Sequence, residues 1–269
     1  MAFVIAVALT TSAAAQSHRL SNVDLCNGRD RSSPEPQIMG CTALIRAGGD
    51  RPEVLAIAYN NRGNAFSRAG QYELAIKDYT ESIKLNPQYA KPLNNRGVAY
   101  RRKGDYELAV KDFDAAITID PNYANAFANR AETYQKQGDY AHAVKDFDEA
   151  IRLEPSLAAI WNERCWTRAV LGDLQAALAD CDEALRLDPN APEAFDSRGF
   201  AHLKLGQWDA AIADFSAALR GSRKSASALY GRGYAKVKKG DVRGGNADMA
   251  AAKALESNIA EQFTRYGVK

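Results

Sequence analysis

The sequence predicts an all-α solenoid built from six stacked helix-turn-helix repeats. The main observation is a period of 34 residues, at which glycines recur: Gly70, Gly104, Gly138, Gly172, Gly206 and Gly240. Apolar residues also fall at helical spacing in two blocks around each of these glycines. Prolines recur with the same period, at Pro87, Pro121, Pro155 and Pro189. A fixed period of this size is typical of stacked repeats, in which each unit buries its apolar face against its neighbours.

Within each unit, the residue types at fixed positions predict two closely packed helices joined by a tight turn. Glycine just past a helix end adopts the left-handed conformation that closes the helix. Small residues on both sides of this turn would let antiparallel helices approach closely; the two rows are Gly63, Gly97, Ala131, Cys165, Gly199, Gly233 and Ala75, Ala109, Ala143, Ala177, Ala211, Gly245. Proline then ends the second helix or begins the next unit.

This arrangement resembles the tetratricopeptide repeat (TPR) family. The clearest units read AYNNRGNAFSRAGQYELAIKDYTESIKLNP and LNNRGVAYRRKGDYELAVKDFDAAITIDP, which end at Pro87 and Pro121. The resemblance covers about residues 56–259 and implies one extended core rather than separate domains. The six repeats would span 56–89, 90–123, 124–157, 158–191, 192–225 and 226–259.

Both ends of the array are predicted to carry a cap. Residues 35–55 have the pattern of a half repeat, and residues 258–269 read as a short polar capping helix, of which 260–269 lie beyond the last repeat. The second helix of unit six contains Gly244 and Gly245, and glycine weakens a helix interior. We therefore expect looser packing in the last repeat than in the others.

The first fifteen residues, MAFVIAVALTTSAAA, predict a signal peptide. They are uncharged and apolar and end in small residues, which favours cleavage after Ala15 and export. A disordered or anchoring N-terminus is the alternative. Residues 16–34 then form a flexible lead, rich in Gly, Pro and Ser toward its end. Residues 35–55 resemble the leader of some exported bacterial TPR proteins, which implies a periplasmic or secreted protein of a Gram-negative bacterium.

Four cysteines agree with export. We expect Cys26 and Cys41 to form a disulfide that ties the lead to the half-repeat helix. Closing a loop of this length contributes roughly 3 kcal/mol to stability. Cys165 and Cys181 occupy facing positions of one predicted helix pair, where a disulfide and two buried free thiols both remain open.

One charged pattern recurs in every unit and predicts a ladder of structural ion pairs. An arginine occupies the seventh position and an aspartate the twenty-third, so antiparallel helices would place them nearly level. The pairs are Arg62 and Asp78, Arg96 and Asp112, Arg130 and Asp146, Arg164 and Asp180, Arg198 and Asp214, and Arg232 and Asp248. A row of arginines for ligand phosphates is the alternative.

Composition and motifs give no sign of catalysis. The net charge is +2 and 25% of residues are charged, so no bulk attraction to nucleic acid or membrane is expected. The three histidines lie far apart, and no phosphate loop, nucleophile elbow or metal-ligand spacing is present. We expect no enzymatic activity, no catalytic residues, no cofactor, no metal and no small-molecule substrate. After signal cleavage, no segment should span a membrane.

The resemblance implies that the first helices line a concave groove that binds a partner peptide. The groove positions of TPR units map to residues that are polar and basic toward the N-terminus and aromatic toward the C-terminus. The expected peptide-binding residues are Asn60, Asn64, Arg68, Lys91, Asn94, Arg101, Asn125, Asn162, Trp166, Phe200, Tyr230 and Tyr234. Asparagine could pair with an extended backbone, arginine could bind a carboxylate, and aromatic side chains could serve as anchors.

The function predicted from these features is a scaffold or adaptor for another protein or peptide. A regulatory subunit or inhibitor that occludes an envelope enzyme is one alternative. A binder of anionic polymer is another, because residues 220–243 contain eight Lys or Arg against the single acid Asp241. A solvated helix face and loop is the favoured interpretation of that stretch, and nucleic acid is not expected as a partner.

Overall fold

The computed structural model describes residues 20–30, 32–49 and 51–268, so the predicted signal peptide lies outside the described residues. The described residues contain fifteen helices and no strand. In chain order they are α1 (Asn22–Cys26), α2 (Glu35–Ala47), α3 (Pro52–Arg68), α4 (Tyr72–Leu85), α5 (Ala90–Lys103), α6 (Tyr106–Ile119), α7 (Ala124–Gln137), α8 (Tyr140–Leu153), α9 (Ala158–Leu171), α10 (Leu174–Leu187), α11 (Pro192–Lys204), α12 (Trp208–Gly221), α13 (Ala226–Lys238), α14 (Val242–Leu255) and α15 (Ile259–Arg265).

The helices form an α-solenoid of six repeats. Each pair from α3–α4 to α13–α14 is one repeat, and every helix packs against its neighbours in the chain. Helix α2 lies in the predicted half-repeat cap and packs against α3, whereas α1 lies in the segment predicted as a flexible lead and packs on α2. Among the described residues, no helix is both long and apolar enough to cross a bilayer.

The recurring glycine ends the first helix of its unit, as the sequence predicts. Gly104 has a φ of 87°, a left-handed conformation that suits glycine because it has no Cβ. Its amide donates to Arg101 O, and the Asp105 amide donates to Tyr100 O. These two hydrogen bonds satisfy carbonyls that the helix end would otherwise leave unpaired. The turn directs the second helix back along the first.

Small residues permit the close helix approach within a unit. A Cβ added to Gly97 would lie 2.7 Å from the Phe113 ring, so a larger side chain at this position would displace the ring. Unit four replaces this contact with a disulfide between Cys165 and Cys181, whose Cα atoms are 5.4 Å apart.

In the last repeat α13 and α14 approach closely at their glycines, while α14 buries only Gly245 and Ala252, fewer residues than any other second helix. A Cβ on Gly233 would lie 2.6 Å from the backbone oxygen of Gly245. Gly245, the second glycine of α14, therefore allows α13 and α14 to approach each other closely. At Gly245, where the other units have alanine, the side-chain contact is replaced by close approach of the two backbones.

The predicted ion-pair ladder is confirmed in all six units. In unit three, Arg130 Nε and Nη2 donate to Asp146 Oδ2 and Oδ1, both at 2.7 Å. The third nitrogen, Nη1, reaches Asp114 of the preceding unit at 2.5 Å. Equivalent two-point pairs join the other five Arg and Asp residues. The ladder thus holds the two helices of one unit together and, through Nη1, also holds adjacent units together.

Candidate functional site

The first helices of the repeats line the inner, concave face. Successive first helices contact one another directly, from α3 with α5 to α11 with α13. No comparable contact joins successive second helices among the described residues. Because the first helices are closer together, the solenoid curves toward them. The groove predicted from the sequence therefore lies along α3, α5, α7, α9, α11 and α13.

At the N-terminal end of the groove, asparagines bond to one another across the repeats. Asn95 donates to the Oδ1 atoms of Asn60 and Asn64, both at 3.0 Å. Asn129 donates to Asn94 Oδ1 at 2.9 Å. Asn60 and Asn94 are only 3% and 5% exposed. These five residues form an amide ladder between units, so Asn60 and Asn94 do not present free amides to a peptide, contrary to their expected role.

The basic residues predicted for the groove have different environments. Arg101 forms an ion pair with Glu132, with Nη1 2.5 Å from Oε2, and its side chain is largely buried. Arg68 is exposed and donates to Gln37 Oε1 of the half-repeat cap at 2.7 Å. Lys91 and Asn125 are exposed near the starts of α5 and α7. Of this group, Arg101 is the one whose charge is already compensated inside the groove.

At the C-terminal end, the aromatic part of the groove is covered by the chain itself. Phe263 on α15 packs against Phe200 and Tyr230, with ring centroids 5.7 Å and 4.7 Å apart. Phe200 is only 6% exposed. Phe200 therefore anchors α15 and is not a free groove residue, contrary to its expected role. The side chains of Ile259 and Phe263 are buried, so the capping helix is less polar than predicted.

The last predicted groove residue lies outside this covered region. The Tyr234 ring is tilted against Trp208, with centroids 6.4 Å apart, and Lys238 Nζ lies 5.1 Å from its centroid. Tyr230 and Tyr234 are both half-buried. The structure thus separates the two tyrosines: Tyr230 contacts the returning C-terminal helix, and Tyr234 contacts the second helix of unit five.

Between the amide ladder and α15 lies an open hollow, here called the central cavity. Its volume is about 600 Å³, and its walls include Tyr140, Asn162, Glu163, Trp166, Asp196 and Tyr266. Trp166 makes edge-to-face contacts with Tyr140 and Tyr266, at centroid distances of 5.8 Å and 5.4 Å. Of the predicted peptide-binding residues, Asn162 and Trp166 meet here. A cavity of this size is typical of ligand sites.

Two carboxyl groups of the central cavity are shielded from solvent. Burial raises the pKa of Glu163, and Gln135 Nε2 donates to its Oε2 at 3.2 Å. Burial raises the pKa of Asp196 to about 6, although Ser227 Oγ donates to its Oδ2. The Oδ1 atoms of Asn162 and Asp196 are shielded from solvent and accept no hydrogen bond. Two residues that line the cavity therefore carry acceptor atoms that no donor of the described residues satisfies.

Several residues of the central cavity were missed by sequence reasoning. Glu163 follows a position assigned to the groove, and Tyr140 begins the second helix of unit three, so the groove pattern included neither. Tyr266 reaches the cavity because α15 turns back over the first helices. The spacing of Ile259, Phe263 and Tyr266 places one apolar stripe on a helix, and this signal could have predicted the docking.

The described part of the chain shows no cluster of three or more His, Cys, Asp or Glu residues that could hold a metal ion. Cys26 and Cys41 are joined by a disulfide whose Cα atoms are 4.5 Å apart, and both side chains are buried. Gln37 Nε2 donates to Cys26 O at 3.0 Å next to this bond. The bridge attaches α1 to α2 and so completes the N-terminal cap.

Solved structures with a similar fold are repeat proteins. A tetratricopeptide repeat protein from Parabacteroides merdae shares 18% identity at a TM-score of 0.68, covering 91% of this chain and 98% of its own. PilF from Pseudomonas aeruginosa shares 17% identity at 0.67, covering 79% and 98%. YrrB, described as a TPR protein with an unusual peptide-binding site, shares 21% at 0.54, covering 70% and 97%. No curated protein sequence matches the chain significantly.

Sequence profiles of the repeat match directly. Tetratricopeptide repeat profiles match residues 56–89, 124–157, 78–111 and 168–230, and a TPR repeat profile matches 99–138. Together these matches cover more than half of the chain. This chain therefore belongs to the tetratricopeptide repeat family.

Proposed function

We propose that this chain is an exported scaffold that holds a segment of a partner protein in the middle of its concave groove. The repeat fold and its relatives support a protein–protein interaction scaffold in general. The single observation that carries the finer proposal is the central cavity, which is the part of the groove left open between the amide ladder and α15. The description of YrrB as peptide-binding supports a peptide as the class of ligand.

The groove structure narrows the set of residues proposed to touch the partner. Trp166 and Asn162 line the central cavity. Lys91 and Asn125 are exposed further along the groove, where a bound segment leaving the cavity would pass. Asn60, Asn94 and Phe200 act instead through the packing of the repeats. The partner would therefore be anchored near α9 and would extend toward α5.

TPR repeat proteins are generally non-enzymatic scaffolds. A regulatory subunit or inhibitor would use the same surface, and the identity of the partner would distinguish it from an adaptor. Binding through the basic stretch is less well supported, since Arg232 and Lys236 pair with Asp248 and Lys239 pairs with Asp209.

The proposed location is the periplasm. Two cysteine pairs at disulfide distance are compatible with an oxidising compartment. The expected result is a mature chain that begins near Gln16 in the periplasmic fraction of the native host. N-terminal sequencing of the purified protein checks this, and an intact Met1 in the cytoplasmic fraction would contradict it.

Site-specific photo-crosslinking tests the proposed groove. A photoreactive amino acid at Lys136, an exposed residue at the edge of the central cavity, should capture the partner in the envelope fraction. The matched control is Lys145, an exposed lysine on α8, and a third position at Arg243 probes the basic stretch. Capture from Lys136 alone supports the groove. Capture from Lys145 or Arg243 alone would overturn it, and loss of the Arg243 product at moderate salt would indicate an anionic partner.

A further inference from the structure

The central cavity contains acceptor atoms that nothing in the protein satisfies. Asn162 Oδ1 and Asp196 Oδ1 are shielded from solvent and have no hydrogen-bond donor. A buried polar atom without a partner carries a desolvation cost, and such atoms in native proteins require an explanation. The Asp196 carboxyl is surrounded by protein on nearly every side, yet its Oδ1 lacks a donor. Both residues line the same cavity, so one ligand could supply donors to both.

The charges of the central cavity are arranged by depth. Glu163 and Asp196, the two carboxyl groups deep in the lining, are both buried enough that desolvation raises their pKa values. The exposed lining residues at the edge carry both signs of charge, Lys136 and Arg265 against Glu193. An anionic group entering the cavity would meet two buried carboxyl groups. A cationic group would compensate the charge of these carboxyl groups and offset the free-energy cost of burying them.

The walls of the central cavity favour the same sign of charge. Trp166, Tyr140 and Tyr266 are in mutual edge-to-face contact through Trp166 and border the cavity together. The face of an aromatic ring attracts cations, and tryptophan attracts them best. Guanidinium also stacks flat on aromatic rings and carries several donors in a fixed plane, whereas ammonium is a more strongly hydrated point charge.

We propose that the central cavity binds the guanidinium group of an arginine in an extended segment of the partner. Asn162, Glu163 and Asp196 accept its hydrogen bonds, and Trp166 provides the ring beside it. This inference rests on the proposed function and names the chemistry that the groove recognises. It differs from recognition of a terminal carboxylate, which requires cationic side chains, because the buried charged groups of the cavity are acidic.

Nuclear magnetic resonance of the disulfide-bonded mature chain tests the proposal. The signal is the Trp166 indole Nε1–H, assigned with Trp166→Phe and separate from those of the other two tryptophans. The probe is acetyl-Gly-Ala-Arg-Ala-Gly-amide at pH 7.5. Matched peptides carry citrulline, which has nearly the same shape without the charge, or glutamate. N-acetyl-arginine amide serves as the small-molecule probe.

The arginine peptide should shift the Trp166 signal saturably, and citrulline should weaken binding about tenfold or more, because charge-assisted hydrogen bonds are the strong ones. Glu163→Gln and Asp196→Asn should each weaken the arginine peptide by about tenfold, while Glu107→Gln, an exposed acid on α6, should leave binding unchanged. Both groove variants keep the size of the original side chain, and circular dichroism checks that they fold.

Equal binding of the arginine and citrulline peptides, tighter binding of the glutamate peptide, or no shift at Trp166 would overturn the proposal. Binding of N-acetyl-arginine amide as tight as that of the peptide would assign the cavity to a free guanidinium compound and overturn the peptide part. Failure here remains distinct from failure of the scaffold function. If a partner crosslinks from Lys136 but binds wild type and Asp196→Asn equally, the groove stands and the arginine site falls.

Discussion

The two ends of the concave groove use equivalent repeat positions in different ways. At the N-terminal end, Asn60 and Asn94 turn inward and bond to neighbouring asparagines, which joins one unit to the next. At the C-terminal end, Phe200 and Tyr230 occupy related positions and pack against Phe263 of α15. The first arrangement needs only an adjacent repeat. The second needs a segment that returns from the end of the chain.

This difference shows why groove residues cannot be assigned from repeat position alone. A polar side chain can be satisfied by an asparagine of the next repeat, which removes it from the binding surface. An aromatic side chain that is not buried by its own repeat can be buried by another apolar segment, and here α15 of the same chain does so. The open surface is what remains between the two, at Trp166 and its neighbours.

The largest effect is expected from loosening α15, which covers the C-terminal end of the groove. Phe263→Ala should lower the free energy of unfolding by about 3 kcal/mol, because Phe263 is buried against two aromatic rings. Hydrogen exchange should show the loss of protection in α9, α11 and α13, with α5 and α7 little changed. Leu255→Ala, at an exposed leucine of α14, is the control and should have almost no effect. A uniform loss along the solenoid would contradict a separate C-terminal block.

The Arg–Asp ladder is common to both ends and gives a reference for the comparison. Arg130→Ala should destabilise by about 2 kcal/mol or more, because Asp146 is then buried without its partner. Arg152→Ala, which removes an exposed pair with Glu149, should cost little. Chemical denaturation measures both. The double variant Arg130→Ala/Asp146→Ala should recover part of the loss, and a cycle without coupling would reduce the ladder to a solvated row.

The stability of the region between the two ends should be limited by Asp196, a buried acid with no ion-pair partner among the described residues. The folded-state pKa of Asp196 is about 6 and that of the unfolded chain is about 4, so the folded state binds the proton more tightly. Stability should therefore fall as pH rises from about 4 to about 6, and the penalty is complete above that. The Glu193 carboxylate adds to it by raising this pKa further.

Asp196→Asn tests this directly, since it removes the charge and nearly keeps the shape. At pH 7.5 the variant should be more stable than wild type by about 1–2 kcal/mol, and the difference should shrink toward pH 4. Denaturation at a series of pH values measures it. A variant that is less stable than wild type at neutral pH would show that the Asp196 carboxylate has a partner in solution.

The smallest effect concerns the amide ladder. Asn94→Ala should destabilise by about 1 kcal/mol, because it leaves the Asn129 amide without its acceptor between two first helices. Asn125→Ala, at an exposed asparagine of the same groove, should change stability by less than about 0.5 kcal/mol. Thermal unfolding compares the two. Equal effects would mean that the amide ladder contributes nothing beyond ordinary surface contacts. The asparagine bonds would then not distinguish the N-terminal end of the groove from the C-terminal end.

Much of the fold could be predicted from the sequence because its determinants are local and repeated. The glycine at Gly104 and the Arg130–Asp146 pair follow from position within one unit, and six copies of each pattern reinforce the prediction. The asparagine bonds join neighbouring units at separations of 31 or 35 residues, which differ from the 34-residue period and are therefore not evident from it. The polar character of Asn60 and Asn94 suits a ladder and a binding surface equally.

The central cavity could not be predicted because its walls come from distant parts of the chain. Trp166 and Tyr266 are brought together by the return of α15, and a repeat pattern carries no information about where its last segment docks. Tyr140 enters from a second helix, which the groove positions do not include. Asn162 and Trp166 were identified from sequence because they lie on a first helix, where repeat position alone places them.

The return of α15 also bears on the mechanics of the solenoid. A stack of repeats that contact only their neighbours bends and extends like a spring, with small changes at every joint adding along its length. Through Phe263 and the adjoining Tyr266, α15 contacts α9, α11 and α13, so it acts as a strut across the two joints between units four, five and six and limits their bending. The N-terminal joints carry no such strut among the described residues. Elastic motion of the solenoid should therefore concentrate in the N-terminal half, on one side of the central cavity.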